Sequence, residues 1–560
     1  MNNPIAQTMN ILREEILSAA TALQNEGKLP AGAFDTFDVE IPKDTRNGDF
    51  STNFAMKHAR VFRSNPRAIG EAVASKLQNV PHVQEVSVAG AGFINFVMAP
   101  SYYAMILESV DGMGADYGKS DHFHGEKVMV EFVSANPTGP MHMGNARGGI
   151  IGDCLASLLD WAGADVHREF YVNDAGNQVS LFGKSLYVRL QQLLHGEDCM
   201  EFPEDGYHGD DIKVLAATFA ETHPEADSLS EEDVTAQMVA FGLEKNIARM
   251  QEDLGRYKIT YDEWFRESRL HNSGYVAETV AILENKGALY EKEGAKWFKA
   301  TEYGYEKDEV LVKANGFYTY FAVDIAYHRH KFVERKFDRV IDVFGADHHG
   351  HTLRFWAAMR ALGLDENRLQ FVLMQLVRLM RDGEIVRMSK RTGKSITLSD
   401  LLEEIPVDAA RFFFNSRASD TTMDFDLALA TRQDSENPLY YVQYAHARIC
   451  SILRNLAENG IEYSGKPDYT LLVSDAEKDL IRQIAALPQE IVSAAEAREP
   501  SRITAYCENL AAAFHKFYNC CPIKGEEGAL RDARIGLCYA ARQTLKNSLA
   551  LMNISAPEKM

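Results

Sequence analysis

The sequence lacks the features of a membrane, secreted or disulfide-rich protein. No window of about 18 apolar residues occurs, so no membrane span is expected. The first residues lack a basic segment followed by an apolar block, so we expect no secretory signal. Only 7 cysteines occur among 560 residues, and none is in a Cys-x-x-Cys pair. This argues against a cysteine zinc site, and the odd number fits a reducing cytoplasm.

The charge balance excludes a general nucleic-acid coat. Asp and Glu number 80 against 59 Lys and Arg, which gives a net charge of -21, whereas such a coat should be basic. A local basic surface could still bind one folded RNA. With about 150 residues per domain, the length predicts roughly three or four domains.

The two ends of the chain show different patterns of secondary structure. Helical patterns at 5–25 and 66–78 alternate with strand-like segments, which predicts an α+β domain over residues 1–112. The glycine- and charge-rich segment 111–126 is typical of a linker. After Pro406 strand signals fade and long amphipathic patterns predict an all-α bundle over 406–560.

The middle of the chain alternates strand and helix patterns. Two such units begin at "KVMVEFVSA" and at "DRVIDVFGA", and "LQFVLMQLVRLM" reads as one further strand. Alternation of this kind is typical of a parallel sheet with right-handed crossovers. We therefore predict a doubly wound sheet over 120–405, with a helical insertion at about 195–260.

The stretch "SANPTGPMHMGNARGG", residues 134–149, follows the first strand of this sheet. Ligands bind at the carboxyl ends of parallel strands, where helix N-termini offer N–H groups to anions. The stretch follows a P-loop pattern for six residues, but then has Asn145 where that motif needs Lys. It is either a nucleotide-binding turn with His142 as a donor or a tight turn with an incidental histidine. Its glycines would let a nucleotide approach the backbone: Gly139, Gly144, Gly148 and Gly149.

A second stretch, "RMSKRTGKS" at 387–395, is basic and follows an Asp-Gly pair that predicts a hairpin turn. Its "TGKS" resembles the end of a P-loop, but Met388 occupies the position where that motif requires its first glycine. A basic loop here could neutralise a polyphosphate, or it could simply be solvated.

Together the two stretches resemble the paired signature motifs of class I aminoacyl-tRNA synthetases. Further blocks along nearly the whole chain resemble the arginyl-tRNA synthetase family: "REFYVNDAGNQ", "DGYHGDDI", "YTYFAVDIAYH", "FGADHHGH" and "ENPLYYVQYAHARI". The segments "NGDFSTNFAM" and "GAGFINF" resemble that family's additional tRNA-binding N-terminal domain, and the C-terminal helices resemble its anticodon-binding domain.

The resemblance implies a Rossmann-type catalytic core and a cytoplasmic, monomeric arginine–tRNA ligase. Its substrates would be L-arginine, ATP with its Mg²⁺, and tRNA(Arg), and tRNA would be needed before arginine is activated. Two alternatives stay open. One is an RNA-free nucleotidyl-transferring enzyme, which would not need the two terminal domains. The other is a catalytically dead tRNA-binding paralogue, which should have lost His142, Lys390 or Asp324.

The resemblance also assigns the nucleotide site. It makes His142, Asn145 and Lys390 catalytic. The family's first motif usually ends with a second histidine where this chain has Asn145, and its second motif opens with lysine where this chain has Arg387. Asparagine still donates an N–H, and arginine keeps the charge with a different geometry. The other expected ATP-binding residues are Gly144, Asp347, His351, Arg387, Met388 and Ser389. The "DHHGH" cluster could instead hold a metal, although it has no partner cluster with zinc spacing.

For arginine, the resemblance places Glu131 and Asp324 at the guanidinium, whose planar fork of N–H donors stays charged. Tyr320 would lie beside the fork. Asn136 would bind the substrate's α-amino end, together with His348, and Ser134 is a further expected arginine-binding residue. Without the resemblance, Glu131 would read as an exposed strand residue.

For tRNA, the expected binding residues are Tyr440, Tyr444 and Arg448 in one helix of the C-terminal bundle. Tyrosines there, Tyr441 included, could stack on bases. At least one of the three tyrosines is expected to belong to the core instead.

Overall fold

A computed structural model describes residues 3–346, 349–386 and 396–560, apart from the side chains of Thr45 and His349. The chain forms two compact units. The terminal unit combines the residues up to His122 with 434–496 and 502–560, and the central unit comprises Phe123–Gln433 with Ala497–Ser501. No described helix is long and apolar enough to cross a membrane. All seven cysteines lie in the described residues, and no disulfide joins any of them.

The N-terminal part of the terminal unit is α+β, as predicted. Its first helix begins at Pro4, and Asn3 caps it by accepting the Ala6 N–H at 3.0 Å. Four strands form an antiparallel sheet in the order β1-β2-β4-β3. The elements are α1 Pro4–Asn25, β1 Val39–Glu40, β2 Phe50–Thr52, α2 Phe54–Lys57, α3 Ala59–Phe62, α4 Pro66–Ala74, β3 Val83–Ala89, β4 Phe93–Met98 and α5 Pro100–Met113.

The central unit contains the predicted parallel sheet, and the doubly wound fold is confirmed. Its five strands are all parallel in the order β12-β11-β5-β6-β7. The strands of the sheet and the helices between them are β5 Lys127–Glu131, α6 Gly144–Trp161, β6 Asp165–Val172, α7 Asn177–His195, α8 Asp210–Thr222, α9 Glu231–Arg256, β7 Glu263–Arg266, α10 Ser268–Asn272 and α11 Tyr275–Asn285, and then α12 Tyr320–Val333, β11 Arg339–Gly345, α13 His349–Leu362 and β12 Leu369–Met374. Between α11 and α12 lies a small antiparallel sheet of β8 Leu289–Lys292, β9 Ala295–Phe298 and β10 Glu309–Val312.

The strand order places a switch point between β5 and β11. From β5 the chain continues outward to β6 and β7, whereas β11 and β12 extend the sheet on the other side. Loops that leave two neighbouring strands in opposite directions open a crevice at their carboxyl ends, and ligands of such sheets bind there. The first signature stretch follows β5 and therefore enters this crevice.

Two of the element predictions are wrong in detail. The run predicted as one strand at 369–380 forms two strands, because the chain leaves the main sheet after Met374. The second strand, β13 Val377–Arg381, belongs to another sheet with β14 Glu384–Ile385 and β15 Met423–Asp426. Because β15 lies beyond Pro406, the prediction of an all-α region over 406–560 is wrong at this strand. The hairpin turn predicted at Asp382-Gly383 is present, with positive φ at both residues. Helices α14 Leu398–Glu404, α15 Val407–Asn415 and α16 Leu427–Thr431 complete the central unit.

The C-terminal part of the terminal unit is helical, as predicted, and comprises α17 Pro438–Glu458, α18 Asp475–Ala497, α19 Ser501–Cys520 and α20 Gly528–Leu551.

The prediction of a linker over 111–126 is wrong for the first residues of that segment. Tyr117 is fully buried, and its hydroxyl donates to the Ile484 carbonyl at 2.9 Å. The buried Asp49 carboxylate also accepts from Arg482 at 2.8 Å, so the two ends of the chain share one core.

Candidate active site

A cavity of about 1120 Å³ opens at the switch point, at the carboxyl ends of β5, β11 and β12. The first signature stretch lines it at the β5 side. The residues of that stretch that line the cavity include Asn136, Pro140, His142, Gly144 and Asn145. The ends of the other two strands contribute Val343–Ala346 and Met374–Val377 to the lining. The predicted ATP residues His142, Gly144 and Asn145 are thus brought together.

The conformation of His142 leaves one ring nitrogen available as a donor. Its Nδ1 accepts the backbone N–H of Gly144 at 3.0 Å. The neutral ring therefore carries its proton on Nε2, and the side chain is exposed at the cavity. A Cβ at Gly144 would lie 3.2 Å from Nδ1, so glycine keeps this contact uncrowded. An N–H donor on an exposed imidazole suits an anionic ligand.

The first signature stretch pairs with the segment that directly follows the second stretch in the sequence. The Met143 N–H donates to the Ile396 carbonyl at 2.9 Å, and the Leu398 N–H donates to the Met141 carbonyl at 3.0 Å. Residues 396–398 directly follow the basic stretch in the sequence. The predicted residues Arg387, Met388, Ser389 and Lys390 themselves lie outside the described residues, as do Asp347 and His348.

One of the glycines of the first stretch does not face the cavity. A Cβ on Gly149 would lie 2.9 Å from Ile259 and 3.3 Å from Val133, so this glycine serves helix–strand packing. The expectation that it lets a nucleotide approach is wrong for this position. Gly148 faces Met374, which lines the cavity.

A second cavity of about 890 Å³ adjoins the ends of β5 and β6 and the helix α12. Five of the six residues predicted to bind arginine line it: Glu131, Ser134, Asn136, Tyr320 and Asp324. The predicted ATP residue His351 lines it as well. The sixth, His348, lies outside the described residues. Several lining residues were not predicted, among them Tyr171, Gln178, His328 and Arg354.

The backbone at the end of β5 is strained where it meets this cavity. Val133 and Ser134 have φ values of 71° and 40°, which a β-branched residue such as valine rarely adopts. Such a conformation costs on the order of 1–3 kcal/mol and is maintained by its surroundings. Ser134 Oγ accepts the Tyr171 N–H at 3.1 Å and donates to Glu131 Oε1 at 2.9 Å. The strained turn therefore fixes Ser134 against the Glu131 carboxylate.

Asp324 is the carboxylate of this cavity with an unmatched charge. Burial raises the pKa of its carboxyl to about 7, although His328 and Arg354 act to lower it. Within the described ranges no group donates a hydrogen bond to its carboxylate. A carboxyl whose ionised form is this poorly solvated gains strongly from a cationic ligand.

The charge of Glu131 is matched, in contrast to that of Asp324. Three neighbouring strands each place one carboxylate at the same register, those of Asp342, Glu131 and Glu169. These three side chains form an acidic row across the sheet. Helix α12 compensates them, because Lys331 Nζ lies 2.6 Å from Glu131 Oε2 and 3.0 Å from Asp342 Oδ1. Burial raises the pKa of Glu131, and Lys331 opposes this effect. The alternative of an exposed strand residue is wrong for Glu131, which is buried.

Two of the residues that the sequence analysis missed, His328 and Lys331, share a signal in α12. They follow the predicted Asp324 at i+4 and i+7, so all three lie on one face of a mostly buried helix. Ionisable side chains on an otherwise apolar helix face are rarely buried unless they are paired. This spacing could have indicated the acidic row beneath α12.

No metal site is indicated by the described residues of this unit. Their one set of three close ligands is His167, Glu169 and Glu263. The guanidinium of Arg335 already lies among them, 2.6 Å from Glu169 and 2.9 Å from Glu263. Arg335 therefore supplies the positive charge that an ion would bring.

The predicted tRNA-binding residues lie together on α17 in the terminal unit. The Tyr440 and Tyr444 rings stack at 6.3 Å, and Arg448 lies 4.7 Å from the ring of Tyr518. Tyr444 is exposed, and Tyr440 and Tyr441 are half-buried. The expectation that one of the three is simply core is therefore wrong. The half-buried His515 of α19 packs against Tyr444 and extends the aromatic surface.

Comparisons with known proteins match the whole chain. Family models match the N-terminal domain of arginyl-tRNA synthetases at 10–98, the catalytic domain of class I (R) tRNA synthetases at 113–427 and the DALR anticodon-binding domain at 442–560. The arginine–tRNA ligase of Caldanaerobacter subterraneus subsp. tengcongensis is 51% identical over 100% of both chains. That of Acetivibrio thermocellus is 48% identical, again over 100% of both.

A solved structure agrees in fold. The arginyl-tRNA synthetase of Thermus thermophilus is 22% identical, covers 99% of this chain and 100% of its own, and superposes with a TM-score of 0.75. The catalytic-domain model alone spans more than half of the chain, and the two curated relatives span all of it. The chain belongs to the arginyl-tRNA synthetase family of class I aminoacyl-tRNA synthetases.

Proposed function

We propose that the protein is an arginine–tRNA ligase in which Asp324 holds the guanidinium of the substrate and the neighbouring switch-point cavity holds ATP. The observation that carries this proposal is the unmatched charge of Asp324 in a cavity of about 890 Å³. Arginine brings a permanently charged fork of N–H donors to such a carboxylate. Lysine would present a single ammonium and could not make a bidentate contact.

The reaction has two steps. The arginine carboxylate attacks the α-phosphorus of ATP, which forms arginyl-adenylate and releases pyrophosphate. The 2′-hydroxyl of the terminal adenosine of tRNA then attacks the activated carbonyl, and AMP leaves. Neither step needs a protein nucleophile, because alignment of the reactants and donors placed where negative charge develops can supply the catalysis.

The residues of the first cavity fit the phosphates of ATP. The Nε2–H of His142 and the amide of Asn145 donate to phosphate oxygens, and Gly144 leaves room at the start of α6. We place the leaving pyrophosphate against Lys390, with Arg387, Met388 and Ser389 beside it. Asp347 would contact the ribose or the adenine, and so would His351 from the adjoining second cavity. Mg²⁺ would enter bound to ATP and would neutralise part of the phosphate charge.

The residues of the second cavity bind arginine in this proposal. Asp324 takes the guanidinium and Tyr320 lies beside it at the cavity mouth. Ser134 and Asn136 bind the α-amino end, with His348. Because Lys331 already pairs with Glu131, we assign Glu131 to holding Ser134 in place rather than to the full charge of the fork.

Both ends of the chain would bind tRNA(Arg). We propose that the N-terminal domain, residues 1–112, contacts the body of the tRNA, that 120–405 is catalytic, and that 406–560 binds the anticodon. Tyr440 and Tyr444 would stack on bases, and Arg448 would add a positive charge. We further propose that the enzyme is a cytoplasmic monomer. The full-length relatives carry the name arginine–tRNA ligase, and nothing favours a catalytically dead paralogue.

The test is charging of purified tRNA with arginine or lysine, with ATP and Mg²⁺, by the wild type and by Asp324→Ala. The wild type should charge arginine and ignore lysine, and Asp324→Ala should be nearly silent. Removing one partner of a buried charge pair costs about 3–5 kcal/mol. Glu334→Ala, at the exposed end of α12, is the matched control and should retain activity. Wild-type protein that binds tRNA but charges neither amino acid would contradict the proposal.

A further inference from the structure

Arg147 of α6 is fully buried and donates hydrogen bonds to three main-chain carbonyls. Its Nη1 donates to the Gln375 carbonyl at 3.0 Å and to the Thr421 carbonyl at 2.9 Å, and its Nη2 donates to the Ala418 carbonyl at 2.8 Å. A guanidinium presents its N–H donors in a rigid planar fork. Arg147 therefore fixes these three carbonyls relative to one another and relative to the start of α6.

Gln375, which directly follows β12, is the one of these three partners that lines the switch-point cavity. Its N–H donates to the Ser419 carbonyl at 2.9 Å, and its carbonyl accepts from Arg147. Both main-chain groups of Gln375 are thus engaged within the protein. No residue in the described parts of the chain hydrogen-bonds to its side-chain amide. The amide is therefore the polar group of Gln375 that remains for a ligand.

The cavity wall around Gln375 is apolar. Met374, Leu376 and Val377 belong to it, and the Leu376 side chain is 79% exposed, so a ring that packs on it would remove apolar surface from water. The residues that we assign to the phosphates lie at the end of β5. This strand is two positions away in the order β12-β11-β5, about 10 Å at the usual strand spacing. Phosphates held beside β5 leave the base of the nucleotide beside β12.

We propose that the Gln375 amide binds the adenine ring of ATP and that Arg147 is the positioning residue that fixes the main chain of Gln375. This inference rests on the proposed ATP site. A carboxamide carries an acceptor oxygen and two N–H donors. Adenine presents its exocyclic amine as a donor beside a ring nitrogen as an acceptor, and glutamine pairs with these two groups by two hydrogen bonds where proteins read DNA. Arg147, a residue of the first signature stretch, thereby links that stretch to the binding of the base.

The first experiment measures ATP binding to Gln375→Met by equilibrium dialysis, with tRNA present and arginine absent. Methionine has about the length of glutamine but no amide. We expect the Kd and the KM for ATP to rise about tenfold, with the KM for arginine within about twofold. Gln370→Met is the matched control, because Gln370 lies near the other end of β12 and accepts from Arg498 at 2.9 Å. This control should bind ATP as the wild type does.

A change of nucleotide identifies the group that Gln375 contacts. Purine riboside triphosphate lacks only the exocyclic amine of adenine. The wild type should bind it about tenfold more weakly than ATP, whereas Gln375→Met should bind the two nucleotides within about twofold of each other. 2′-Deoxy-ATP should lose the same factor in both proteins. If Gln375→Met instead loses only the discrimination against 2′-deoxy-ATP, the amide binds the ribose and the proposal is overturned.

The second experiment tests whether Arg147 acts through Gln375. Arg147→Lys keeps the positive charge but loses the planar fork. We expect its KM for ATP to rise several-fold, with the KM for arginine within about twofold. The double variant should bind ATP no more weakly than Gln375→Met alone, because two substitutions that remove the same contact are not additive. A merely structural role of Arg147 would make the two losses of ATP affinity add.

Unchanged ATP affinity in Gln375→Met would overturn the proposal, and additive losses in the double variant would overturn the role of Arg147. Gln375→Met leaves the main-chain hydrogen bonds of this residue in place, so it remains decisive even if Arg147→Lys fails to fold. Binding is measured apart from charging. A wild type that binds ATP but charges no arginine would therefore contradict the proposed function and not this inference.

Discussion

Replacing Asp324 by asparagine should stabilise the ligand-free protein while it abolishes arginine charging. Burial raises the pKa of this carboxyl from 3.8 to about 7, so the folded state binds the proton more tightly than the unfolded state does. Stability contributed by that proton is therefore lost as the pH rises from about 4 to about 7. At about 1.4 kcal/mol per pKa unit, the loss above pH 7 is at most about 4 kcal/mol. Because the side chain is partly exposed in the cavity, we expect a difference of about 2 kcal/mol.

The assay is urea unfolding followed by tryptophan fluorescence at several pH values. All four tryptophans lie between residues 161 and 356, so the signal reports on the central unit. Asp324→Asn should exceed the wild type in free energy of unfolding at pH 8, and the difference should vanish near pH 4. Saturating arginine should stabilise the wild type alone. A variant less stable than the wild type at pH 8, or one that still charges arginine normally, would refute the reasoning.

Three further substitutions test other parts of the account. His142→Ala removes a donor to the phosphates and should lower kcat by about 10²–10³-fold, measured by steady-state charging, with arginine binding unchanged. Lys331→Met leaves Glu131 unpaired and should lower the free energy of unfolding by about 3–5 kcal/mol in the same fluorescence assay. Tyr444→Ala should weaken tRNA binding by about 1–3 kcal/mol in a filter-binding assay, without changing the KM for arginine.

Each of these has an outcome that contradicts it. Normal kcat in His142→Ala would show that this imidazole does not contact the reacting phosphates. An unchanged free energy of unfolding in Lys331→Met would mean that the acidic row needs no compensation. Unchanged tRNA affinity in Tyr444→Ala, compared with Tyr463→Ala elsewhere in the terminal unit as a control, would remove α17 from the tRNA surface.

The architecture was predictable where local pattern decides it. Apolar runs followed by amphipathic segments indicated the strand–helix units of the central sheet, and the Asp-Gly pair indicated the hairpin at 382–383. The break after Met374 was not predictable, because the same apolar run serves two sheets and only tertiary pairing divides it. The short strand Met423–Asp426 was missed for the same reason, since its partner is Val377–Arg381.

The candidate site was predictable in its residues and less so in its electrostatics. The family resemblance identified Glu131, Asp324 and His142 in distant parts of the sequence. In the fold they line the two cavities at one edge of the sheet. The pairing of Lys331 with Glu131 depends on the register that sets Asp342 beside Glu131. Sequence spacing carries no information on that register.

The most direct test of the central claim is proton release when arginine binds. Calorimetric titration at pH 7 in buffers of different ionisation enthalpy, with tRNA present and ATP absent, counts the protons that leave. Because the Asp324 carboxyl has a pKa of about 7, guanidinium binding should ionise it. We predict release of about half a proton per arginine from the wild type and none from Asp324→Asn. Arginine binding without proton release in the wild type, or equal release from Asp324→Asn, would contradict the claim that Asp324 holds the guanidinium.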